Sequence, residues 1–225
     1  MGKEAAYDAH ADWYDHYVHE TEAGVFDRVR TTLRELLGPG TGTCLDVCCG
    51  TGAHAATIWE LGWTPFGVDL SRGQLRHATA RLRVARADAT ALPIAGHAVP
   101  AAVCVLAHTD VSDYPAVVTE IARTLRPGGR FVHVGVHPCF VGAFADRSDG
   151  PRVVVDPRYT DPSHTFDSWN TSGVRARLGA WHLPLAALLS AIPAAGLELV
   201  RCVESGPTPT AVPDLFAVLA TRPAG

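Results

Sequence analysis

The chain has 225 residues, of which 47% are hydrophobic and 19% charged; this is the profile of one globular domain with a buried core and excludes disordered and collagen-like classes. Nineteen Lys+Arg against 23 Asp+Glu leave a formal charge of -4, and no basic tract interrupts the sequence, so nucleic acid is not an expected partner. No run reaches the roughly 20 apolar residues of a membrane helix, and the opening MGKEAAYDAH is too polar for a signal-peptide core, so a cytoplasmic protein with no membrane association is expected.

Strand-like and helix-like stretches alternate without internal repeats, which predicts a doubly wound α/β sheet. Residues 5–19 and 24–37 read as helices; in the second, Val25, Val29, Leu33, Leu36 and Leu37 share one face and Gly38-Pro39-Gly40 ends it. The first strand is 43–47, followed by a glycine-rich turn, a helix over 53–61 and a second strand that ends at Asp69. Ser71 is placed to cap the next helix. A short third strand covers 83–87. The fourth, 101–107, is apolar on both faces and therefore central. Residues 115–125 form the crossover helix, Arg126-Pro127-Gly128-Gly129 ends it, and 130–136 is the fifth strand. Residues 138–180, rich in Pro, Gly, Asp, Ser and aromatics, lack the periodicity of core structure and read as a long insertion that covers a site. A last helix over 184–194 precedes strands 197–203 and 215–220, close enough in sequence for an antiparallel pair.

Four of the six cysteines (Cys44, Cys48, Cys49, Cys104, Cys139, Cys202) lie in or beside apolar runs and no CxxC pair occurs, so reduced, mostly core thiols and no metal site are expected. Lys3 is the only lysine, a bias of a GC-rich genome rather than of function. His137, His164 and Asp167 match no metal-ligand spacing.

The strongest chemical signal is the run from Cys44 to His54, CLDVCCGTGAH, a strand that turns through glycines into a helix. Gly50 and Gly52 allow close backbone approach to a ligand, and the helix that follows offers free N–H groups. Taken alone, Gly50, Gly52 and Ala55 also fit a dinucleotide fingerprint. Asp46 weighs against that reading, because a carboxylate at the strand end repels a pyrophosphate and favours a cationic ligand.

The stretch Leu45-Asp46-Val47-Cys48-Cys49-Gly50-Thr51-Gly52 resembles the first motif of class I S-adenosylmethionine-dependent methyltransferases, in particular the UbiE-like, type 11 branch. It departs at Cys48, where that family has glycine. The resemblance continues through Asp69, which is positioned for the ribose hydroxyls; Asp88, for the adenine amino group; and Leu125-Arg126-Pro127-Gly128-Gly129, a structural turn. Tyr7-Asp8 and Tyr14-Asp15 look like the family's N-terminal lid, with Tyr14 on the methionyl carboxylate. The cofactor is then S-adenosyl-L-methionine, with S-adenosyl-L-homocysteine as product, held by Tyr14, Asp46, Cys48, Gly50, Gly52, Asp69, Leu70, Asp88, Ala89 and Ala107. The resemblance implies a Rossmann-like seven-stranded sheet of order 3-2-1-4-5-7-6 with the last strand antiparallel. One domain divides into a helical lid (1–40), a cofactor-binding core (41–136), a substrate-covering insertion (137–182) and a final helix with its strand pair (183–225).

Methyl transfer is an in-line displacement that asks for alignment more than for acid–base chemistry. His108 and His137 follow the fourth and fifth strands and are the expected catalytic groups, positioning or deprotonating the acceptor. Asp110, His164, Trp169 and His182 are the expected substrate contacts, and His54 reads as a helix-start residue. No Asn/Asp-Pro-Pro-aromatic tetrad follows the fourth strand, so the acceptor is expected to be a small molecule of secondary metabolism rather than a nucleobase or a protein amide. Three readings stay open beside this one: another reaction of the same cofactor (aminocarboxypropyl transfer or cyclisation), an NAD-dependent oxidoreductase, and a non-catalytic cofactor-binding subunit. The methylated element and the oligomeric state are not legible.

Overall fold

Seven strands of the computed structural model, which describes residues 5–149, 152–209 and 211–224, form one mixed sheet. They are β1 (Thr43–Val47), β2 (Thr64–Asp69), β3 (Arg83–Arg86), β4 (Val99–Val105), β5 (Leu125–Val136), β6 (Glu198–Ser205) and β7 (Leu215–Thr221). Their order is β3-β2-β1-β4-β5-β7-β6. The first five are parallel, and β7 runs antiparallel to both β5 and β6. This is the arrangement expected from the sequence.

β4 is buried at every position, as an apolar strand in the middle of a doubly covered sheet must be. Alternate side chains feed two cores. On one face, Leu45, Val47, Ala102 and Cys104 pack with Val117, Val118 and Ile121 of the helix Tyr114–Thr124 and with Leu188 and Ile192 of the last helix (Leu185–Ala194). On the other, Cys44, Ala101, Val103 and Val132 pack against Val29, Leu33 and Leu36 of a helix over Ala23–Leu37. That helix stops at Gly38, whose φ of +62 suits glycine.

The first expected helix is shorter than its pattern. Residues Asp8–His10 make a 3-10 turn, Ala11–His16 a short α-helix, and Tyr17–Thr21 a π turn. Asp8 explains the break: its carboxylate accepts from Ser71 Oγ (2.7 Å) and from the Gly73 amide (2.9 Å), so this stretch is tied to the helix Arg72–Ala78 rather than left to continue its own. Ser71 caps that helix, accepting from the Gln74 amide at 3.1 Å.

The helix expected over 53–61 is confined to Ala55–Glu60, because the turn before it runs through Gly52 at φ +79. A Cβ on Gly52 would also sit 2.7 Å from Leu82 Cδ2 and 3.4 Å from the Ala78 Cα. Gly52→Ala is therefore expected to cost about 1–2 kcal/mol, read as a lowered midpoint in urea with an unchanged slope.

The 138–180 insertion is less irregular than its composition implies. Ala145–Asp146 pairs with Val154–Val155, Val174–Leu178 is helical, and Thr165 bridges Ala180. Phe144, Ala145, Leu178 and Ala180 of the segment are buried. The six cysteines are free; Cys44, Cys49 and Cys104 are buried, Cys48 and Cys139 half-buried, and Cys202 exposed on β6. No helix among the described residues is long and apolar enough to cross a membrane.

Candidate active site

Two cavities open at the carboxyl ends of the parallel strands, where open α/β sheets bind ligands. The first, about 360 Å³, brings together Cys48 and Gly50 from the turn after β1, Asp69 and Leu70 from the end of β2, and Asp88 and Ala89 from the end of β3. Ala107 after β4 and Tyr14 of the lid complete its walls. The second, about 400 Å³, lies between the lid helices, the ends of β4 and β5, and the insertion. Tyr7, Tyr14, Leu106 and Asp110 line both.

The turn after β1 is held from below. Asp69 accepts from the Gly50 amide (2.9 Å) and the Ser71 amide (2.8 Å), so one carboxylate ties the glycine turn to the next helix start. Burial raises the Asp69 pKa and these amides oppose the rise. Cys48 takes a φ of +58 and Gly50 +56, a conformation that is costly for the cysteine and free for the glycine. A hydrogen bond with Cys104, and then burial, push the Cys48 thiol up, so it presents a neutral thiol to the cavity.

Asp46 and Gly52 line neither cavity. Gly52 serves packing. Asp46 is only 1% exposed, its Oδ2 has no hydrogen-bond partner among the described residues, and burial with the nearby Asp69 charge pushes its pKa up to about 7. Asp110 is raised to about 7 as well, first by burial and then by Asp69, although Tyr7 donates to it at 3.1 Å. Three carboxylates therefore share a region of low dielectric with no cation in ion-pair contact among the described residues, an arrangement that a positively charged ligand relieves. Gln74 Oε1, buried in the wall of the first cavity, is a further acceptor without a partner. A ligand carrying an ammonium, a ribose and a sulfonium fits these groups; a pyrophosphate does not.

The expected catalytic histidines lie elsewhere. His108, 2% exposed, lines neither cavity; it packs against His133 and Tyr114, its Nδ1 has no partner, and burial holds its pKa well below the ordinary value. It lies on the side of the sheet that Ala102, Cys104 and Tyr114 occupy, while Leu106, at φ +56 just after β4, faces the cavities. His137, 1% exposed, is engaged at both nitrogens, accepting from the Cys139 amide at 3.1 Å and donating to Glu204 at 2.8 Å. It pins the start of the insertion to β6.

Among the expected substrate contacts, Asp110 and Trp169 line the second cavity. His164 lines the first, packed against Gly179 and the Trp181 ring. His182 lines neither: it sits between Phe144 and Tyr159, with Nε2 2.6 Å from the Tyr159 carbonyl. His54 is buried and stacked on Phe26. Leu106, Gln74 and Trp181 were not legible as site residues, and Tyr7 was read only as part of the lid. Of the first three, Gln74 alone carried a signal, its place three residues after a helix cap.

Residues 44–129 match the family described as a methyltransferase domain. A demethylmenaquinone methyltransferase of Mycolicibacterium paratuberculosis is 36% identical over 106 residues, 46% of this chain and 46% of that one. An O-methyltransferase of Penicillium expansum is 29% identical over 164 residues, 64% of this chain and 59% of the relative. The chain thus spans about half the length of the curated relatives it matches. In fold it is similar to an S-adenosylmethionine-dependent methyltransferase from Mesorhizobium loti, with a TM-score of 0.71 at 24% identity over 90% of this chain and 99% of that one. The chain thus matches the methyltransferase-domain family over residues 44–129 and has the fold of S-adenosylmethionine-dependent methyltransferases.

The charge on Asp46 gives the protein a testable pH dependence. Its native pKa lies near 7, above the ~3.9 of an unfolded aspartate, so the native state binds the proton more tightly and stability falls as pH rises from about 4 to about 7. In Asp46→Asn that loss is absent at this site. Without ligand the variant is expected to be more stable than wild type by about 2–4 kcal/mol at pH 8, with the gap closing toward pH 4. Thermal unfolding at a series of pH values reads the difference, and a gap that does not change with pH would refute the burial of an uncompensated charge.

Proposed function

We propose that the methyltransferase moves a methyl group from S-adenosylmethionine to a small, largely apolar acceptor in the second cavity, a molecule of the kind made in secondary metabolism. The observation that carries this reading is the junction: Tyr7, Tyr14, Leu106 and Asp110 line both cavities, so ligands in the two would meet there. When bound, S-adenosylmethionine supplies an electrophilic methyl on a positively charged sulfur. Tyr14, Gly50, Asp69 and Asp88 would hold it, and Asp46 and Asp69 would supply the negative potential that favours its charge.

The rest of the work is alignment and exclusion of water. Leu106 and Tyr14 wall the junction with apolar surface, which keeps the reacting atoms in register and dry. Asp110 takes the proton from an acceptor hydroxyl, and the Tyr7 hydroxyl, 3.1 Å away, steadies its carboxylate. His108 and His137 support the structure around it.

Calorimetric titration with S-adenosylhomocysteine, S-adenosylmethionine and NAD tests the cofactor. Micromolar binding of the first two and none of NAD is the expected result. Incubation with S-adenosylmethionine and a library of hydroxylated apolar compounds then tests the reaction. Mass spectrometry should find S-adenosylhomocysteine and an acceptor heavier by one methylene. Binding of NAD alone, or methylthioadenosine as the product, would overturn the reading.

A further inference from the structure

The second cavity has a charge pattern that methyl transfer by itself does not require. Arg175 and Arg147 both line it, and among the described residues neither has a carboxylate within ion-pair distance. Arg175 donates one bond, from Nη1 to the Ala180 carbonyl at 3.0 Å. Arg147 reaches only the carbonyls of Phe140 (3.1 Å) and Val212 (3.3 Å). The other donors of both side chains have no protein partner among the described residues.

Burial pulls the Arg175 pKa down, with the charges of Asp110 and Asp167 opposing from beyond contact. A guanidinium in that position is short of a counter-ion. The carboxylates of the cavity do not supply one. Asp214 is bridged to Arg28 at 2.7 Å, Asp110 accepts from Tyr7, and Glu22 is half-buried on the lid. The remaining wall combines apolar side chains, Phe26, Val141 and Trp169 among them, with a few neutral polar ones such as Thr109, Ser168 and Asn170. The helix that carries Arg175 is anchored, since Arg177 lies 4.4 Å over the Trp13 ring of the lid and Trp181 donates from its amide to the Thr109 carbonyl at 2.7 Å.

We infer that the acceptor is an amphipathic acid, with an apolar body against Phe26, Val141 and Trp169 and one oxyanionic head, carboxylate or phosphate, held by Arg175 while Arg147 adds to the positive field. A planar guanidinium with several free donors suits either head, because both accept two parallel hydrogen bonds. The inference deepens the methyl-transfer reading and rests on it only in calling the ligand an acceptor.

The test uses three probes of one shape: phenylbutyrate, phenylbutyl phosphate and the neutral phenylbutyramide. They are titrated into the whole protein with and without saturating S-adenosylhomocysteine. At least one of the two acids should bind roughly tenfold or more tightly than the amide. In Arg175→Gln that preference should vanish while amide affinity and S-adenosylhomocysteine affinity stay within about twofold; Arg147→Gln should weaken the acids by about threefold. The tighter of the two acids identifies the head group. An amide that binds as well as both acids, an Arg175→Gln variant that keeps the preference, or no acid binding up to ~10 mM would overturn the inference. Failure of S-adenosylhomocysteine to bind would instead overturn the cofactor reading, and the acid–amide comparison without it would still decide this one.

Discussion

Asp110→Asn is expected to lower turnover by roughly 10²–10⁴-fold while S-adenosylhomocysteine affinity changes far less. Asp110 follows β4 and is the carboxylate shared by the two cavities. Burial and the neighbouring Asp69 push its pKa up to about 7, against the hydrogen bond from Tyr7. Only the ionised form can accept a proton, so turnover should climb with pH and level off above about 7. In the asparagine variant that rise should disappear, leaving a flat profile at low rate. Tyr7→Phe removes the donor that favours ionisation, so the midpoint should move to higher pH and the plateau should survive. The control is His108→Ala: a buried ring is lost, which should cost about 2–4 kcal/mol of stability, but the pH profile of the folded enzyme should remain. Initial rates from about pH 5.5 to 8.5 distinguish the two residues. Full turnover in Asp110→Asn, or a pH rise that vanishes with His108 instead, would return the proton to the histidine.

The second large effect concerns the cofactor cavity. Asp69→Ala is expected to weaken S-adenosylhomocysteine binding by about 100-fold or more, since it removes two charge-assisted hydrogen bonds of the scaffold, each worth roughly 1.5–3 kcal/mol, and the carboxylate that faces the ligand. The Gly50 and Ser71 amides, at 2.9 and 2.8 Å from Asp69, would be left without an acceptor. The turn after β1 then loses the tie that sets its shape, so the variant should also unfold at lower temperature. Asp69→Asn keeps one acceptor oxygen and should fall between the two. Calorimetry alongside thermal unfolding separates the contributions: an alanine variant that is less stable but binds with wild-type affinity would reduce Asp69 to a purely structural residue.

Much of the lining of the first cavity was legible because its residues sit at positions defined locally. Cys48, Gly50, Asp69, Leu70, Asp88, Ala89 and Ala107 occupy the ends of consecutive parallel strands, and those ends converge whenever the strands pair in parallel. Periodicity and turn chemistry place a strand end within a residue or two, which is accurate enough for a site made of strand ends. The full strand order was implied by the family resemblance; the apolar run of the fourth strand, which has no solvent face, placed that strand alone in the middle of the sheet.

The acceptor side was decided by contacts distant in sequence. A histidine a few residues past a strand can face either way, and His108 lies in the core against Tyr114 and His133. His137 was taken by Glu204, 67 residues away, and His182 by the carbonyl of Tyr159 within the insertion. Neither partner is signalled by local pattern. Asp110 differs from the other carboxylates of the chain only in what encloses it: Tyr7 from the lid, Asp69 from β2 and Arg175 from the insertion. The amino-acid sequence determined by itself the sheet, the glycine turn and the acidic residues at the strand ends, because these are properties of neighbouring residues and of backbone geometry. Which side chains face the ligands, and how far burial shifts their protonation, was decided by the tertiary structure, because desolvation and charge coupling depend on segments that meet only when the chain is folded.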